Sequence, residues 1–199
     1  SLTPLEYVYN SKGKLLALGA SNFKELANLD FVEQELTNIK SSAKKDVYLN
    51  ESFTPRSLIN NGSSPDYDRI HIASHAEFLP GNPTNSLIHT SNDVISMKKL
   101  SEFRIKRKDL PLDLFVLSAC RTAIGDSDTE LGFSGLALQA SARSAIGTLW
   151  YIDDIVTSAY FVQFYDFLNQ RIPKADAIRL TRSAFINKTI RVEKDSILG

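Results

Sequence analysis

The sequence predicts an α/β fold, a three-layer α/β/α sandwich with a mainly parallel central sheet. Short apolar runs of strand length alternate along the 199 residues with longer segments whose apolar residues recur at helical spacing. The run LDLFVLSAC, residues 112–120, is apolar almost throughout, which is typical of a strand covered on both faces at the centre of a parallel sheet. With 43% hydrophobic residues the chain can bury one sizeable core, so we predict a single domain over residues 1–199.

The first half of the chain is predicted to contain four strands and two helices. Apolar residues at helical spacing indicate the first helix, and a threonine followed by proline is a typical start for the second. In chain order the elements are the strand KLLALGA, a helix containing Leu29, Val32, Leu36 and Ile39, the strand DVYLN, a short helix from Thr54 and Pro55, the strand DRIHIASH, and the short accessory strand SLIHT.

The second half is predicted to add two buried strands and four helices. Serine and aspartate side chains favour helix starts because their oxygens accept hydrogen bonds from the first turn. In chain order the elements are a helix in SMKKLSEF capped by its first serine, the strand LDLFVLSAC, the small-residue helix GFSGLALQASAR, the strand SAIGTLW, a long helix from Asp153 or Asp154 through Asn169, and a last helix in PKADAIRLTRSAF.

Composition and charge disfavour several classes of protein. Lys and Arg together number 23, as do Asp and Glu, so the net charge is zero and no basic block favours nucleic acid or an anionic membrane. The single cysteine forms no internal disulfide, the start SLTPLEYVYN lacks the features of a secretory signal, and no glycine-rich phosphate-binding motif follows a strand. The apolar stretches fall far below the roughly 20 residues that span a bilayer. We therefore predict a cytoplasmic protein with no membrane contact and no direct nucleic-acid binding.

Cys120 stands at the carboxyl end of the predicted central strand, on the edge of a parallel sheet where ligands gather. The alternative is a small core hydrophobe, the usual role of a lone cysteine in an apolar run. His75 ends its own strand, whereas His71 lies inside that strand and is predicted to be structural. The two histidines begin about 13 Å apart at about 3.3 Å per strand residue, too far to share a metal ion. We predict neither a metal site nor a cofactor, and His89 carries no interpretable pattern.

If the strands that end in His75 and Cys120 are neighbours, an imidazole and a thiol meet at one edge of the sheet. An ordinary thiol, with a pKa of about 8.5, is mostly protonated at neutral pH. A nearby imidazole can take its proton or stabilise the thiolate. The two residue types therefore indicate a nucleophile and its base.

Three segments resemble a CHAT domain: DRIHIASHAEF, LFVLSACRTAIGD and GFSGLALQASARSAIGTLWYIDDIVTSAYFVQFYDFL, in this order and at these separations. That family belongs to the caspase-like cysteine peptidases, alongside caspases, metacaspases, gingipains and separase. The resemblance covers roughly residues 15–186. It implies a caspase-like fold and a thiol protease, a hydrolase that acts on a protein or peptide substrate.

The resemblance also implies roles for individual residues. Cys120 is the nucleophile and His75 the general acid and base, while the backbone N–H groups of Cys120 and Ala76 hold the oxyanion. Ala76 stands where the family commonly has glycine, which adds a methyl where the substrate backbone approaches. RTA follows the cysteine where ETG is common, so Arg121 replaces an acid. A cation there favours the thiolate if it points inward and is solvated if it points outward.

By the same resemblance, the pocket for the residue before the cut is lined partly by residues 150–154, with Trp150, Asp153 and Asp154 as candidates. An acid that projects into this pocket favours a basic residue before the scissile bond. Asp153 and Asp154 also fit helix caps. The other nearby acids, which also fit a solvated loop, are Asp126, Asp128 and Glu130.

Two absences point to a larger assembly. The aromatic-rich last strand usual in the family is not visible in INKTIRVEKDSILG, and the sequence holds no helical repeat of the kind that commonly precedes CHAT domains. The chain is therefore expected to be truncated or one piece of a larger protein, gated by a regulatory partner or a helical-repeat domain. Two alternatives stay open: a catalytically silent CHAT domain acting as an interaction or regulatory module, and an unrelated α/β binding protein with a core cysteine.

Overall fold

The structure is a computed structural model, and it describes residues 14–77, 86–107, 110–118, 140–148, 153–193 and 196–198. Its strands are β1 (Lys14–Gly19), β2 (Lys45–Leu49), β3 (Tyr67–Ala73), β4 (Ala76–Glu77), β5 (Leu87–His89), β6 (Val94–Ser96), β7 (Leu114–Ser118), β8 (Ala145–Gly147), β9 (Arg191–Glu193) and β10 (Ser196–Leu198). Its α-helices are α1 (Val32–Asn38), α2 (Pro55–Gly62), α3 (Ser101–Arg107), α4 (Asp154–Asn169) and α5 (Lys174–Ile186).

Five of the strands form one parallel sheet in the order β2-β1-β3-β7-β8. Every neighbouring pair in it runs parallel, so the predicted mainly parallel central sheet is confirmed. A second sheet, made of β4, β5 and β6, is antiparallel and begins just after β3 ends. β9 and β10 form a separate antiparallel pair. The central sheet therefore has β3 in its middle.

Helices cover both faces of the central sheet. Successive residues of each strand point to opposite faces, so the apolar strands present two apolar faces that helices bury. Leu15 of β1 belongs to a buried cluster with Phe164 of α4, whereas the next residue, Leu16, belongs to a cluster with Phe103 of α3. α1, α4 and α5 thus lie on one face, and α2 and α3 on the other. This is the predicted three-layer α/β/α sandwich. In the part of the chain that the structure describes, no helix is both long and apolar enough to cross a bilayer.

Two predicted features of the second half are wrong, and a third is correct only in position. Ser96 is the N-cap residue of the 3-10 turn Met97–Leu100, as predicted, but its side chain makes no capping hydrogen bond to that turn. β8 is half-buried rather than buried, because it is the last strand of the described sheet. The predicted helix GFSGLALQASAR is not helical over its last four residues, because Ala142 forms a parallel bridge with Leu112 instead. Residues 132–139 of that segment lie outside the described residues.

Gly19 ends β1 where α1 packs closely against the sheet. A Cβ at this position would lie 2.7 Å from Cγ1 of Val32 and 2.8 Å from the carbonyl oxygen of Ala73. We expect Gly19→Ala to lower the free energy of unfolding by about 1–3 kcal/mol, because the backbone must move to admit the methyl. Urea denaturation measures the change. Val47→Ile, which adds one carbon to a side chain that is 44% exposed, is the control. Equal unfolding midpoints in both variants would contradict the tight packing.

Candidate active site

β3 and β7 carry the chain to the same edge of the central sheet. Their register pairs Ala73 with Ser118, and the N–H of Ser74 donates to the Ser118 carbonyl at 3.1 Å. His75 comes two residues after Ala73. Cys120 lies outside the described residues, two positions along the chain from Ser118. The strands that lead to the two predicted catalytic residues are therefore neighbours, as a dyad requires.

The imidazole of His75 is held by the segment that follows β1. Its Nε2 lies 2.8 Å from the carbonyl oxygen of Ala27, and its ring centroid lies 4.7 Å from that of Phe23. A carbonyl oxygen only accepts hydrogen bonds, so Nε2 carries the hydrogen and donates it. In the neutral ring Nδ1 then holds the lone pair. The ring is oriented with Nδ1 as its basic atom, and the residue is only 8% exposed.

The backbone around His75 is fixed by β5. Ser74 Oγ donates to the carbonyl of His89 at 2.5 Å, and the N–H of His89 donates to the carbonyl of His75 at 2.9 Å. The register of β4 with β5 places Ala76 opposite Ile88. Hydrogen-bonded and non-hydrogen-bonded pairs alternate in antiparallel sheets, so the bond at His75 leaves Ala76 in a non-hydrogen-bonded pair. The N–H of Ala76 therefore points away from β5, which a role as oxyanion donor requires.

A cleft of about 400 Å³ opens beside this histidine. Phe23, whose ring contacts the imidazole of His75, lines one side of the cleft, and residues 89–94 line another. Glu77 also lines it and pairs with Nε2 of His89 at 3.0 Å. The cleft therefore adjoins Phe23 and β5, the two contacts of His75, while His75 itself is not one of the residues that line it.

The sequence matches the family model described as the CHAT domain over residues 3–197, nearly its whole length. The chain belongs to the CHAT domain family. This family is related to the caspase-like cysteine peptidases, and the five-stranded parallel sheet with helices around it agrees with a caspase-like α/β fold. A search of curated proteins finds no match.

The two acids predicted to line the substrate pocket of this CHAT domain lie at the start of α4. Asp153 caps the helix, because its Oδ1 accepts the N–H of Ile155 at 3.2 Å. Asp154 Oδ2 accepts the N–H of Phe31 at 3.3 Å, and burial raises the pKa of Asp154. Both carboxylates hold local structure, and their contact with substrate stays a prediction. The candidates outside the described residues are Arg121, Asp126, Asp128, Glu130 and Trp150.

His71 of the CHAT domain is fully buried in a polar cluster on the other side of β3 from α2. Its Nε2 lies 2.7 Å from Oε1 of Glu35, and Ser158 Oγ donates to the other carboxylate oxygen at 2.8 Å. The cluster joins β3 to α1 and α4, which is a structural role of the kind predicted for His71. Among the residues that the structure describes, no group of three or more His, Cys, Asp or Glu side chains is placed to hold a metal ion.

Sequence reasoning missed Ala27 and Phe23, which hold the imidazole. Ala27 acts through its main-chain carbonyl, which every residue type possesses, so its identity carries no information. The apolar spacing predicts that Leu29 lies in the first helix, whereas α1 begins at Val32 and residues 20–31 form a long irregular stretch after β1, at the carboxyl end of a strand. Such stretches commonly carry functional groups in α/β folds.

His75 is expected to be the Nε2–H tautomer above about pH 8, where imidazole rings are generally neutral. The reason is the hydrogen bond from Nε2 to the Ala27 carbonyl. Two-dimensional NMR of protein labelled with ¹⁵N-histidine distinguishes the protonated from the unprotonated ring nitrogen, and His75→Asn identifies the resonance by its loss. A protonated Nδ1 in the neutral ring would contradict the assigned orientation.

Proposed function

We propose that this CHAT domain is a cysteine endopeptidase in which Cys120 is the nucleophile and His75 the general acid and base. The observation that carries the proposal is the imidazole of His75, oriented by the Ala27 carbonyl beside the strand that leads to Cys120. The substrate is a protein or peptide, and the protein acts in the cytoplasm. The chemistry of a Cys/His dyad needs no cofactor.

The proposed reaction proceeds through a thioester. Nδ1 of His75 accepts the thiol proton as Sγ of Cys120 attacks the carbonyl carbon of the scissile bond. The C–N bond breaks, the leaving amine takes the proton from Nδ1, and the acyl group remains on sulfur. Water then attacks the thioester and gives its proton to Nδ1. The carboxylic acid departs, and the sulfur takes this proton back, so one peptide bond is hydrolysed per cycle.

The Ala27 carbonyl assists both protonation states of the imidazole. In the neutral ring it fixes the tautomer in which Nδ1 is basic. Once Nδ1 has gained a proton, the same oxygen accepts a hydrogen bond from a cationic ring, and such charge-assisted bonds are the stronger kind. A carbonyl carries only a partial charge, so it stabilises the cation less than the aspartate of a Ser-His-Asp triad does.

We assign the oxyanion to the N–H groups of Ala76 and Cys120. The register of β4 supports the first of these, because it directs the Ala76 N–H away from β5. Backbone donors of this kind stabilise the negative oxygen of the tetrahedral intermediate, and loss of one donor typically lowers kcat by about 10²- to 10³-fold.

A regulatory partner or an attached helical-repeat domain gates this activity in our proposal. A second candidate function is a catalytically silent CHAT domain that serves as an interaction or regulatory module. The burial of Ala76, which is 0% exposed and belongs to the core cluster with Ile88, favours it, because an N–H that holds the oxyanion must be reachable by the substrate.

Cys120→Ala and His75→Ala are each expected to lower cleavage in a peptide library by about 10³-fold or more. Cys120→Ala should change the melting temperature little, whereas His75→Ala should lower it, because the buried imidazole contacts Phe23 and donates to the Ala27 carbonyl. His75→Ala should also move the pH dependence of Cys120 alkylation by iodoacetamide upward, because it removes the group that stabilises the thiolate. The wild-type thiol should react near neutral pH. A thiol that reacts only after denaturation, together with a strongly destabilised Cys120→Ala variant, would identify a core cysteine instead.

Asp153→Asn and Asp154→Asn remove charge while keeping the local hydrogen bonds. Asparagine caps helices as well as aspartate does, and its amide oxygen at position 154 accepts the N–H of Phe31 in place of the carboxylate. If either acid lines the pocket, the wild type cleaves preferentially after basic residues. The variant of the lining acid should then lose about tenfold of that preference, or roughly 1.4 kcal/mol. Sequencing the library products measures this. Equal cleavage after basic and apolar residues by the wild type would exclude the pocket role.

A further inference from the structure

We propose that Asn50 is a positioning residue for the imidazole of His75. The inference rests on the proposed function, because it concerns the same histidine. Asn50 follows β2, which lies two strands away from β3 in the central sheet. Its side-chain oxygen nevertheless ties together two segments that both reach His75.

One atom of Asn50 gathers the hydrogen bonds. Oδ1 accepts the N–H of Ser21 at 2.8 Å and the hydroxyl of Ser21 at 3.1 Å. Ser91 Oγ and the N–H of Asn22 approach the same oxygen at 3.3 Å and 3.4 Å. We refer to Asn50, Ser21 and Ser91 as the Asn50 latch. Both serines are buried, at 8% and 9% exposure, so water replaces a lost acceptor poorly.

Each segment tied by the latch leads to His75. From Ser21 the chain continues to Ala27, whose carbonyl accepts the Nε2–H of His75. From Ser91 the chain leads back to β5, where the N–H of His89 donates to the main-chain carbonyl of His75. The ring and the backbone of the histidine are thus held by two segments that share one anchor.

Ser21 closes its own segment as well as anchoring it. Its carbonyl accepts the N–H of Leu29 at 2.9 Å, so residues 21–29 form a closed loop with Ala27 near its end. The start of α4 holds the far side of the loop through the N–H of Phe31. Loss of the latch removes the side-chain anchor at Ser21 and leaves the N–H of Ala20, which donates to the Ala73 carbonyl at 3.0 Å, as the hold on that side. The Ala27 carbonyl is then less firmly placed and shifts relative to the imidazole. A misplacement of about 1 Å costs on the order of 10²-fold in rate.

The backbone conformation of Asn50 allows the hydrogen bonds of its side chain to be removed without disturbing the turn. Its φ is 51°, in the left-handed region that glycine adopts without strain and that Asn and Asp tolerate. Glycine at this position keeps the turn and removes the oxygen. Aspartate keeps both the turn and an acceptor oxygen.

Three variants test the proposal: Asn50→Gly, Asn50→Asp and Asn60→Ala, an exposed asparagine on α2 that serves as the matched control. The first measurement is the exchange rate of the Nε2–H proton of His75 by NMR, which requires no catalysis. The second is kcat and KM for a peptide selected from the library. Melting temperatures of all variants are recorded alongside.

We expect Asn50→Gly to bring the Nε2–H proton into fast exchange and to lower kcat by about 10- to 100-fold, with KM changed less than about threefold. Asn50→Asp should retain the slowly exchanging proton and a kcat within about threefold of the wild type, because its carboxylate accepts the same bonds. Asn60→Ala should match the wild type in both measurements.

A folded Asn50→Gly variant with a wild-type exchange rate would overturn the proposal, since Asn50 would then support only the turn. Equal effects of Asn50→Gly and Asn50→Asp would overturn it as well, because the acceptor oxygen would not matter. If the wild type cleaves no peptide while Asn50→Gly still frees the Nε2–H proton, the peptidase proposal fails and the positioning of His75 by Asn50 stands.

Discussion

The parallel pairing of β3 with β1 and β7 is the constraint on which the rest of the structure depends. Because all three strands run in one direction, the segments that leave them emerge at the same edge of the sheet. The histidine comes from the end of β3, its ring partners come from the segment after β1, and β7 leads toward the cysteine. The order of the strands therefore brings segments that are far apart in sequence to the same edge of the sheet.

The face of the sheet beneath α1 and α4 contains ionisable groups that a simple core would exclude. Glu35 and His71 lie 2.7 Å apart with side chains 2% and 0% exposed. Desolvation makes such a pair costly, so Ser158 and the close geometry serve to offset that cost. The cluster fixes the position of β3 relative to α1 and α4. Phe31 links this cluster to the site, because its N–H donates to Asp154 and its carbonyl oxygen lies 3.3 Å from Ser158 Oγ.

The helices and longer strands could be predicted from sequence, because the spacing of apolar residues and the capping residues at helix starts are local properties. Thr54 forms a capping box at the start of α2, and Asp153 caps α4. Residues 140–142 could not, because their small side chains suit a helix or a strand and a distant partner decides between them. β4 and β6, of two and three residues, are too short to show a pattern. At the site, side chains that carry chemistry were visible, whereas the contributions of Ala27 and Asn50 depend on contacts across the fold.

The main-chain origin of the acceptor for His75 Nε2–H has a genetic consequence. A point mutation changes a side chain, and it leaves the carbonyl of residue 27 in place whichever amino acid stands there. An alanine scan is blind to this group, and at Ala27 it makes no change at all. Changes in the basicity of the His75 imidazole would therefore arise from insertions, deletions or altered anchoring residues in the loop of residues 21–29. They would not arise from the gain or loss of a third catalytic side chain.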